Sequence, residues 1–332
     1  MATIRDVSKL AGVSVATVSR VINGSGYVNK ETEKAVRDAM KALNYKPSVA
    51  ARTLAGKQSS TVALIVPDIL NPFFPEIARS IEDAAQELGY TLVLCNSDND
   101  PDKEMNYFRI LESKHIDGII IASYTIVPRQ IMDLQEKSIP VVVIDNPLPG
   151  YPILSLVTKH REGARKAVRH LIDQGCRKIA HICGPLHVYS ARERALGYEE
   201  VCRGQGNFAP SLIYPGDFRI DGGYEAMIRL FEQHPDIDGV FAGNDLMAIG
   251  ALKALYHMGK SVPDDVKLIG YDGISLSMVV PELSTVAQPM SKMGKLAMNF
   301  LMKLIRKEPV ELTIHELEAE LIIRKSTSKP VG

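Results

Sequence analysis

Residues 3–23, TIRDVSKLAGVSVATVSRVIN, constrain the fold more than any other stretch of this chain. The spacing predicts a helix, a short turn that contains glycine, and a second helix. Thr3 is the expected N-cap of the first helix, and Asp6 three residues on is the acidic member of a capping box. Gly12 ends that helix because glycine adopts a positive φ at little cost, and Ser14 caps the next one. Two amphipathic helices joined in this way also occur in small domains of other kinds.

The second helix has a distinctive outer face. Val18 and Ile22 point inward at i, i+4 spacing, which leaves small side chains and one guanidinium outside: Val15, Ala16, Ser19 and Arg20. Such a face suits the DNA major groove. Residues 1–58 carry ten Lys and Arg against four Asp and Glu, a net charge of +6, whereas the whole chain nets zero and residues 59–332 therefore net −6. A basic head on an acidic body favours a nucleic-acid-binding head.

A third helix is expected over 30–43, with Asn29 as its N-cap. From residue 61 the pattern changes to apolar, β-branched strands that alternate with amphipathic helices. The predicted strands are 61–66, 91–95, 118–122, 140–144, 178–183, 239–243, 266–271 and a final one over IHELEAELIIR, 314–324. This alternation predicts two sets of parallel strands covered on both faces, about 61–157 and 158–287, with ligands at the carboxyl ends of the strands.

Several function classes are disfavoured. No apolar run approaches the roughly 20 residues of a membrane helix, and no leader precedes the capped first helix, so a cytoplasmic protein without membrane contact is expected. The four cysteines are scattered without a CxxC pair, so neither a disulfide framework nor a metal site is expected. We find no GxxxxGK[ST], GxGxxG, GxSxG or HExxH motif, and predict no catalytic residue and no cofactor. The enzymatic alternative is a sugar-processing enzyme with Asp145 and Asp272 as a carboxylate pair.

Two motifs carry a specific resemblance. GVSVATVSRVIN at 12–23 and ALNYKPSVAARTLAG at 42–56 resemble the DNA-binding end of the lactose-repressor family of bacterial transcription regulators, and the resemblance runs through nearly all of the chain. It implies an α/β protein with a three-helix helix-turn-helix head and a hinge helix, followed by a two-lobe periplasmic-binding-protein-like core with parallel sheets. The implied domains are 1–58, with the hinge helix at about 47–56, and 59–332. Within the core, the N-lobe is about 61–157 plus 289–320 and the C-lobe about 158–288.

The resemblance also implies a double-stranded operator as partner and a homodimer whose two heads read two half-sites. The implied DNA contacts are Thr3, Ser14, Val15, Ala16, Thr17, Ser19, Arg20, Asn23, Tyr27, Asn29, Ala51 and Leu54. In the family, the leucine that matches Leu54 wedges between base pairs from the minor groove. The alternative is that Leu54 only packs within the hinge. For the dimer surface we expect helix 73–88 with the region 290–306.

The loops at the strand ends combine carboxylates, amides, an arginine and aromatic rings, which suits a sugar with apolar faces and a hydroxyl rim. NPFF at 71–74 is similar to the ribose-binding members of the periplasmic sugar-binding fold. The resemblance implies these ligand contacts: Asn71, Phe73, Phe74, Asp145, Arg194, Phe218, Asn244, Asp272 and Gln288. Ribose binders commonly follow the aspartate with arginine, but this chain has Asn146. Within the repressor family the chain most resembles the ribose-operon repressors, which implies a small sugar effector that releases DNA.

Alternatives stay open at several positions. Phe73 or Phe74 could belong to the core, Asn244 could merely cap the helix at 245–258, and Asp272 could be a turn residue. The effector could be a nucleobase, since purine-sensing members also stack their ligand on aromatic rings. A phosphocarrier protein that acts as corepressor is a further alternative partner.

Overall fold

The first three helices fold around a small apolar core. They are α1 (Ile4–Ala11), α2 (Val15–Asn23) and α3 (Lys30–Ala42) in the computed structural model, which describes residues 2–23, 26–45, 58–275 and 278–328. Their shared core consists of Val7, Val18, Val21, Val36 and Ala39, all buried. These helices lie in the first of two units into which the chain divides, Met1–Ser59 and Ser60–Gly332.

The ends of these helices are fixed by capping side chains. The Thr3 hydroxyl accepts from the Asp6 N–H at 3.3 Å, and the Asp6 carboxylate accepts from the Thr3 N–H at 2.8 Å. Gly12 ends α1 with φ +66°. The Ser14 hydroxyl accepts from Thr17 N–H at 3.1 Å, and the Asn29 side-chain oxygen accepts from the third residue of its helix at 2.7 Å. Each cap satisfies a backbone donor that the helix itself leaves without a partner.

Two six-stranded sheets form the framework of the second unit. The first sheet contains β1 (Thr61–Val66), β2 (Thr91–Asn96), β3 (Gly118–Ile121), β4 (Val141–Ile144), β5 (Leu154–Thr158) and β11 (Ile314–Leu317), in spatial order β11-β5-β4-β3-β1-β2. The second contains β6 (Ile179–Cys183), β7 (Ile213–Pro215), β8 (Gly239–Ala242), β9 (Lys267–Asp272), β10 (Ser284–Ala287) and β12 (Glu320–Ile322), in spatial order β12-β10-β9-β8-β6-β7. All neighbouring strands run parallel except β10 and β12.

Helices cover both faces of each sheet. They are α4 (Phe73–Glu87), α5 (Pro101–Ser113), α6 (Pro128–Glu136), α7 (His160–Asp173), α8 (Tyr189–Gly204), α9 (Ile220–Gln233), α10 (Asp245–His257) and α11 (Met290–Ile305). Within β1, Val62 and Leu64 join the core on one face of the sheet, and Ala63 and Ile65 join the core on the other. A parallel strand buried on both faces has a continuous apolar sequence, as TVALIV does.

The chain passes between the two sheets three times, after β5, after β10 and after β11. We call the first sheet with α4, α5, α6 and α11 the first lobe, and the second sheet with α7 to α10 the second lobe. After β10 the chain returns to the first lobe, where α11 packs closely against α4. A Cβ on Gly294 would lie 2.7 Å from the Ser80 Cβ, and the Ser80 hydroxyl donates to the Ser291 carbonyl at 2.7 Å.

The predicted fold class is confirmed, with one correction near the end of the chain. The segment 314–324 was expected to form one strand, but it forms β11 in the first sheet and β12 in the second. Glu318 and Ala319 carry the chain from one sheet to the other. Alternation of apolar residues predicts extended structure and cannot show that a strand changes sheets. The short strands at 154–158, 213–215 and 284–287 were not predicted from the sequence.

Candidate ligand site and nucleic-acid interface

The outward face of α2 is the candidate nucleic-acid interface. Val15, Ala16 and Arg20 are exposed, while Val18 and Val21 are buried in the head. The side chain of Arg20 lies near Gly26, with its Cδ 3.8 Å from the position of a Cβ on that glycine. A helix that presents small side chains and one arginine can approach base edges closely, and arginine can pair with guanine through two hydrogen bonds.

The other predicted DNA contacts are placed around this face or lie outside the described residues. Tyr27 is 93% exposed. Thr3, Ser14 and Asn29 use their side-chain oxygens as helix caps, and the hydroxyls of Thr17 and Ser14 lie 2.9 Å apart. Ser19 is half-buried. The side chain of Asn23 lies outside the described residues, as do Ala51, Leu54 and the whole of the predicted hinge helix at 47–56.

A cavity of about 490 Å³ lies between the two lobes of the second unit. It is lined by residues that follow the carboxyl ends of six strands, as expected for an α/β ligand site. Three predicted contacts line it: Asn71, Phe74 and Phe218. The other lining residues were not among the predicted contacts: Asp68, Leu70, Asn99, Tyr124, Pro185, His187, Val188, Asp217, Arg219, Ile220 and Leu246.

Three rings cross the cavity from one lobe to the other, and we call them the aromatic row: Phe74, Tyr124 and Phe218. The ring centroids of Phe74 and Tyr124 are 6.3 Å apart, and those of Tyr124 and Phe218 are 6.2 Å apart. The absence of a side chain on Gly184 makes room for Phe218, because a Cβ there would lie 2.3 Å from the phenylalanine ring. Phe73 packs edge-to-face on Phe74, is buried in the core of the first lobe and does not line the cavity.

Five buried side chains form a hydrogen-bonded group that we call the polar cluster: Asp145, His160, Arg194, Asp272 and Gln288. His160 Nε2 lies 2.5 Å from Asp145 Oδ1, and Arg194 Nε donates to His160 Nδ1 at 3.3 Å. Arg194 Nη2 lies 3.4 Å from Asp272 Oδ1, to which Gln288 Nε2 donates at 2.8 Å. Asp145 lies in the loop after β4 in the first lobe. The other four residues lie at the start of α7, in α8, at the end of β9 and just after β10.

Burial sets the electrostatics of the polar cluster. It raises the pKa of Asp272 to about 6, although the positive charge of Arg194 opposes this increase. Burial also lowers the pKa of His160, which therefore favours the neutral imidazole, with Asp145 acting in the opposite direction. The guanidinium carbon of Arg194 lies 3.8 Å from the centroid of the Tyr271 ring in a cation–π contact. The arginine is thus held from several sides and presents a fixed set of donors.

Asn244 has a structural role here. Its side-chain oxygen accepts from the Met247 N–H at 2.9 Å and caps α10, which agrees with the alternative that Asn244 is a helix cap. Its side-chain nitrogen donates to the Phe218 carbonyl at 3.0 Å. Asn244 therefore holds the backbone of a residue that lines the cavity.

Tyr124 and His160 were not among the residues predicted from the sequence. Tyr124 follows β3 directly, so the rule that ligands bind at strand ends could have identified it. His160 begins α7, just after the first connection between the lobes, and nothing in its local sequence distinguishes it. Across the described residues, no helix is long and apolar enough to span a membrane, and no group of three side chains could hold a metal ion.

Comparison with known proteins agrees with this architecture. Residues 3–48 match the sequence profile of the bacterial regulatory proteins of the lacI family, and residues 168–327 match a periplasmic binding protein-like domain. The ribose operon repressor of Halalkalibacterium halodurans is 44% identical over 98% of this chain and 97% of its own. The HTH-type transcriptional repressor PurR of Haemophilus influenzae (strain PittEE) is 39% identical over 98% of both chains.

A solved structure of a repressor has the same architecture as this chain. The lac repressor dimer bound to operator and the anti-inducer ONPF superimposes with a TM-score of 0.88 at 28% identity, covering 98% of this chain and 99% of that one. A helical head and a two-lobe core with a cavity between its lobes define a ligand-responsive DNA-binding regulator. The chain belongs to the lacI family of bacterial transcriptional repressors.

Proposed function

We propose that this repressor binds operator DNA as a homodimer and that a free monosaccharide, ribose or a close relative, releases it from the operator. The observation that carries the proposal is the buried polar cluster beside a cavity with three aromatic rings. This combination offers charged acceptors, charged donors and apolar faces within one site. A DNA-binding regulator acts where the chromosome lies, so the proposal places the protein in the cytoplasm, and it assigns no enzymatic activity.

The chemistry of the polar cluster suits a polyhydroxy ligand. A hydroxyl donates one hydrogen bond and accepts others, so it can bridge a carboxylate and a guanidinium. Asp145, Asp272 and Arg194 provide both kinds of partner in a buried setting, where charge-assisted hydrogen bonds are strong. Phe74 and Phe218 provide flat surfaces for the apolar faces of a sugar ring. The full-length relationship to a ribose operon repressor supports the same ligand class.

Asn146 bears on which sugar binds. Its side-chain nitrogen donates to the Ser123 carbonyl at 3.0 Å, so it braces the loop after β3. An arginine here, as in ribose binders, would supply additional donors to the ligand. Because this chain lacks those donors, we propose ribose or a sugar with a similar arrangement of hydroxyls rather than ribose alone, and a panel of pentoses and hexoses identifies which.

For the dimer, we propose a surface that differs from our expectation. The outward positions of α4, such as Arg79, Glu82 and Asp83, are exposed and charged. Exposed apolar side chains lie instead on the edge strand β2, at Val93 and Leu94. An uncovered strand edge with apolar side chains favours pairing with another chain. Tyr256 and Val280 are exposed and line a common groove in the second lobe, and Met278, two residues before Val280, is also exposed. We propose that a second copy of this chain covers both groups.

A sugar between the lobes would change their relative orientation, and the first lobe follows the head in sequence. A ligand shifts such an equilibrium only if it binds one arrangement more tightly than the other. The polar cluster provides this difference, because Asp145 belongs to the first lobe whereas His160, Arg194 and Asp272 belong to the second. Ligand affinity and DNA affinity are then coupled through lobe closure.

A purine effector is the second candidate. The aromatic row suits a planar base, and the PurR relative spans nearly the whole chain. The buried polar cluster favours the sugar, because a base leaves more of its donors and acceptors without partners. Nothing in the described part of the chain favours a phosphocarrier protein, and we do not propose one.

Calorimetry tests the proposal directly. The full-length protein is titrated with ribose, 2-deoxyribose, hexoses, sugar phosphates, hypoxanthine and guanine. We expect ribose or a close relative to bind, with 2-deoxyribose at least about tenfold weaker, because an unmade buried hydrogen bond costs roughly 1–3 kcal/mol. Heat from a purine or sugar phosphate and none from any free monosaccharide at millimolar concentration would overturn the ligand assignment.

A further inference from the structure

We propose that Tyr124 is a gate between the open cavity and the polar cluster, and that its displacement controls entry of the ligand. This inference rests on the proposed sugar-binding function of the cleft. Tyr124 comes from the loop after β3 in the first lobe, and its ring lies between Phe74 and Phe218. The ring therefore occupies the slot in which a sugar would stack against those two phenylalanines.

Tyr124 is close both to the open cavity and to the polar cluster. The ring of Tyr124 lines the cavity, whereas Asp145, Arg194 and Asp272 are buried and do not. The charges of these three residues also act on Tyr124. Burial raises the pKa of its hydroxyl, the carboxylates of Asp145 and Asp272 raise it further, and the guanidinium of Arg194 opposes this increase. Its position is thus between solvent and the charged groups that would bind sugar hydroxyls.

The backbone around Tyr124 is well fixed, so opening must come from the side chain. The Ser123 hydroxyl accepts from the Thr125 N–H at 3.0 Å and from the Ile126 N–H at 3.1 Å. The Ser123 carbonyl accepts from Asn146. These bonds leave the two side-chain torsions of Tyr124 as the free coordinates, and the half-buried ring has the cavity beside it as space to move into.

Such a gate changes both the rate and the selectivity of binding. Only molecules with the ring displaced can bind the ligand at the polar cluster, so apparent affinity falls by the fraction of molecules that are open. The ligand also has to fit the space between Phe74 and Phe218 that the displaced Tyr124 ring vacates, which makes binding selective for shape. Tyr124 is therefore a residue that sets ligand specificity, in addition to the predicted ligand contacts.

Two measurements on Tyr124→Ala and Tyr124→Phe test the gate, with Tyr151→Ala as a control at a half-exposed tyrosine outside the cavity. Stopped-flow tyrosine fluorescence follows the association of D-ribose. We expect the association rate constant to rise at least tenfold in Tyr124→Ala, and to stay close to that of the natural protein in Tyr124→Phe, which keeps the ring, and in Tyr151→Ala. Equal rate constants in Tyr124→Ala and the natural protein would contradict the gate.

The second measurement needs no ligand. Titration of Asp272 by carbon-13 NMR, assigned with Asp272→Asn, reports how well the polar cluster is sealed from water. Its pKa of about 6 should fall toward a normal carboxyl value in Tyr124→Ala and not in Tyr124→Phe. Arg194, Gln288, Asp145 and Asp245 face Asp272 and are the same in both variants. An unchanged titration in Tyr124→Ala overturns the gate whatever ribose does. No ribose signal in any protein excludes ribose itself as the effector, and the titration still decides the gate.

Discussion

The imidazole of His160, in the second lobe, lies between Asp145 of the first lobe and Arg194 of the second: its Nε2 is 2.5 Å from the carboxylate, and its Nδ1 accepts from the guanidinium at 3.3 Å. Arginine can only donate, so Nδ1 must carry the lone pair and Nε2 the proton that Asp145 accepts. Arg194 thereby fixes the tautomer. A neutral histidine in one defined tautomer joins the lobes in the structure described here.

This relationship predicts strong coupling between His160 and Asp145. His160→Ala leaves a buried carboxylate without its donor and should lower the free energy of unfolding by roughly 1–3 kcal/mol or more. Asp145→Ala should have a similar effect, and the double variant should lose less than the sum, with a coupling energy of about 0.5–3 kcal/mol. Urea unfolding of the four proteins measures it, and His257→Ala, at an exposed histidine, is the control. Strictly additive losses would show that the contact contributes nothing.

A second buried histidine predicts a pH dependence of stability. His181 is stacked between Tyr198 and Phe241, and its Nδ1 donates to the Phe241 carbonyl at 2.8 Å. Burial lowers its pKa to about 4, against about 6.5 in an unfolded chain. As the pH falls, this histidine is therefore protonated in the unfolded state before it is protonated in the folded state. The stabilisation is complete above pH 6.5 and is lost as the pH falls toward 4, a difference of about 3 kcal/mol.

The measurement is the free energy of unfolding of the natural protein and His181→Gln between pH 4 and 7.5. The raised pKa of Asp272 has the opposite effect: as the pH rises from about 4 to about 6, the unfolded state releases this proton while the buried carboxyl keeps it, so the fold loses stability. Asp272 is present in both proteins, so the difference between their curves isolates His181. We expect the gap to narrow as the pH falls, and a constant gap would contradict the prediction.

Much of the fold follows from local sequence, since the helix caps and the apolar strands are local features. Thr3, Asp6 and Asn29 cap helices as predicted, and TVALIV is a strand buried on both faces. The path through IHELEAELIIR does not follow from local sequence, because each half pairs with a partner distant along the chain.

The candidate site is also predictable only in part, because some of its residues are marked by their local position at a strand end and others are not. The strand-end rule placed Asn71, Phe74 and Phe218 beside a common cleft, and their role in binding stays a prediction. The strand-end rule also applies to Tyr124, which follows β3, but its neighbours depend on the packing of the two lobes, and no local signal marks His160. The position of His160 depends on residues from separate lobes, and that of Tyr124 on rings from both.

In the head, Arg20→Ala should remove preference for the operator while keeping weak binding that is sensitive to salt. An arginine that contacts guanine through two hydrogen bonds contributes about 1–3 kcal/mol of discrimination, whereas phosphate contacts are independent of sequence. The operator is first selected from a random DNA pool with the full-length protein. Footprinting then compares operator and unrelated DNA, with Arg37→Ala on α3 as the control for loss of one positive charge. Unchanged discrimination by Arg20→Ala would contradict the proposed recognition helix.

The predicted wedge at Leu54 rests on the family resemblance, because this residue lies outside the described part of the chain. Leu54→Ala should weaken operator binding and reduce DNA bending together, since a wedge between base pairs is what kinks the duplex. Gel mobility of circularly permuted operator fragments measures the bend. Full bending by Leu54→Ala would show that this leucine only packs within the hinge.

The central claim is that a free sugar at the polar cluster controls DNA binding. Fluorescence anisotropy of the selected operator, titrated with D-ribose in the natural protein and in Arg194→Ala, tests it most directly, after thermal unfolding has shown that the variant is folded. The account predicts that millimolar ribose releases the operator from the natural protein, while Arg194→Ala binds the operator without ribose and no longer responds to it. Operator binding that ignores every free monosaccharide in the natural protein but responds to hypoxanthine or guanine would contradict the account.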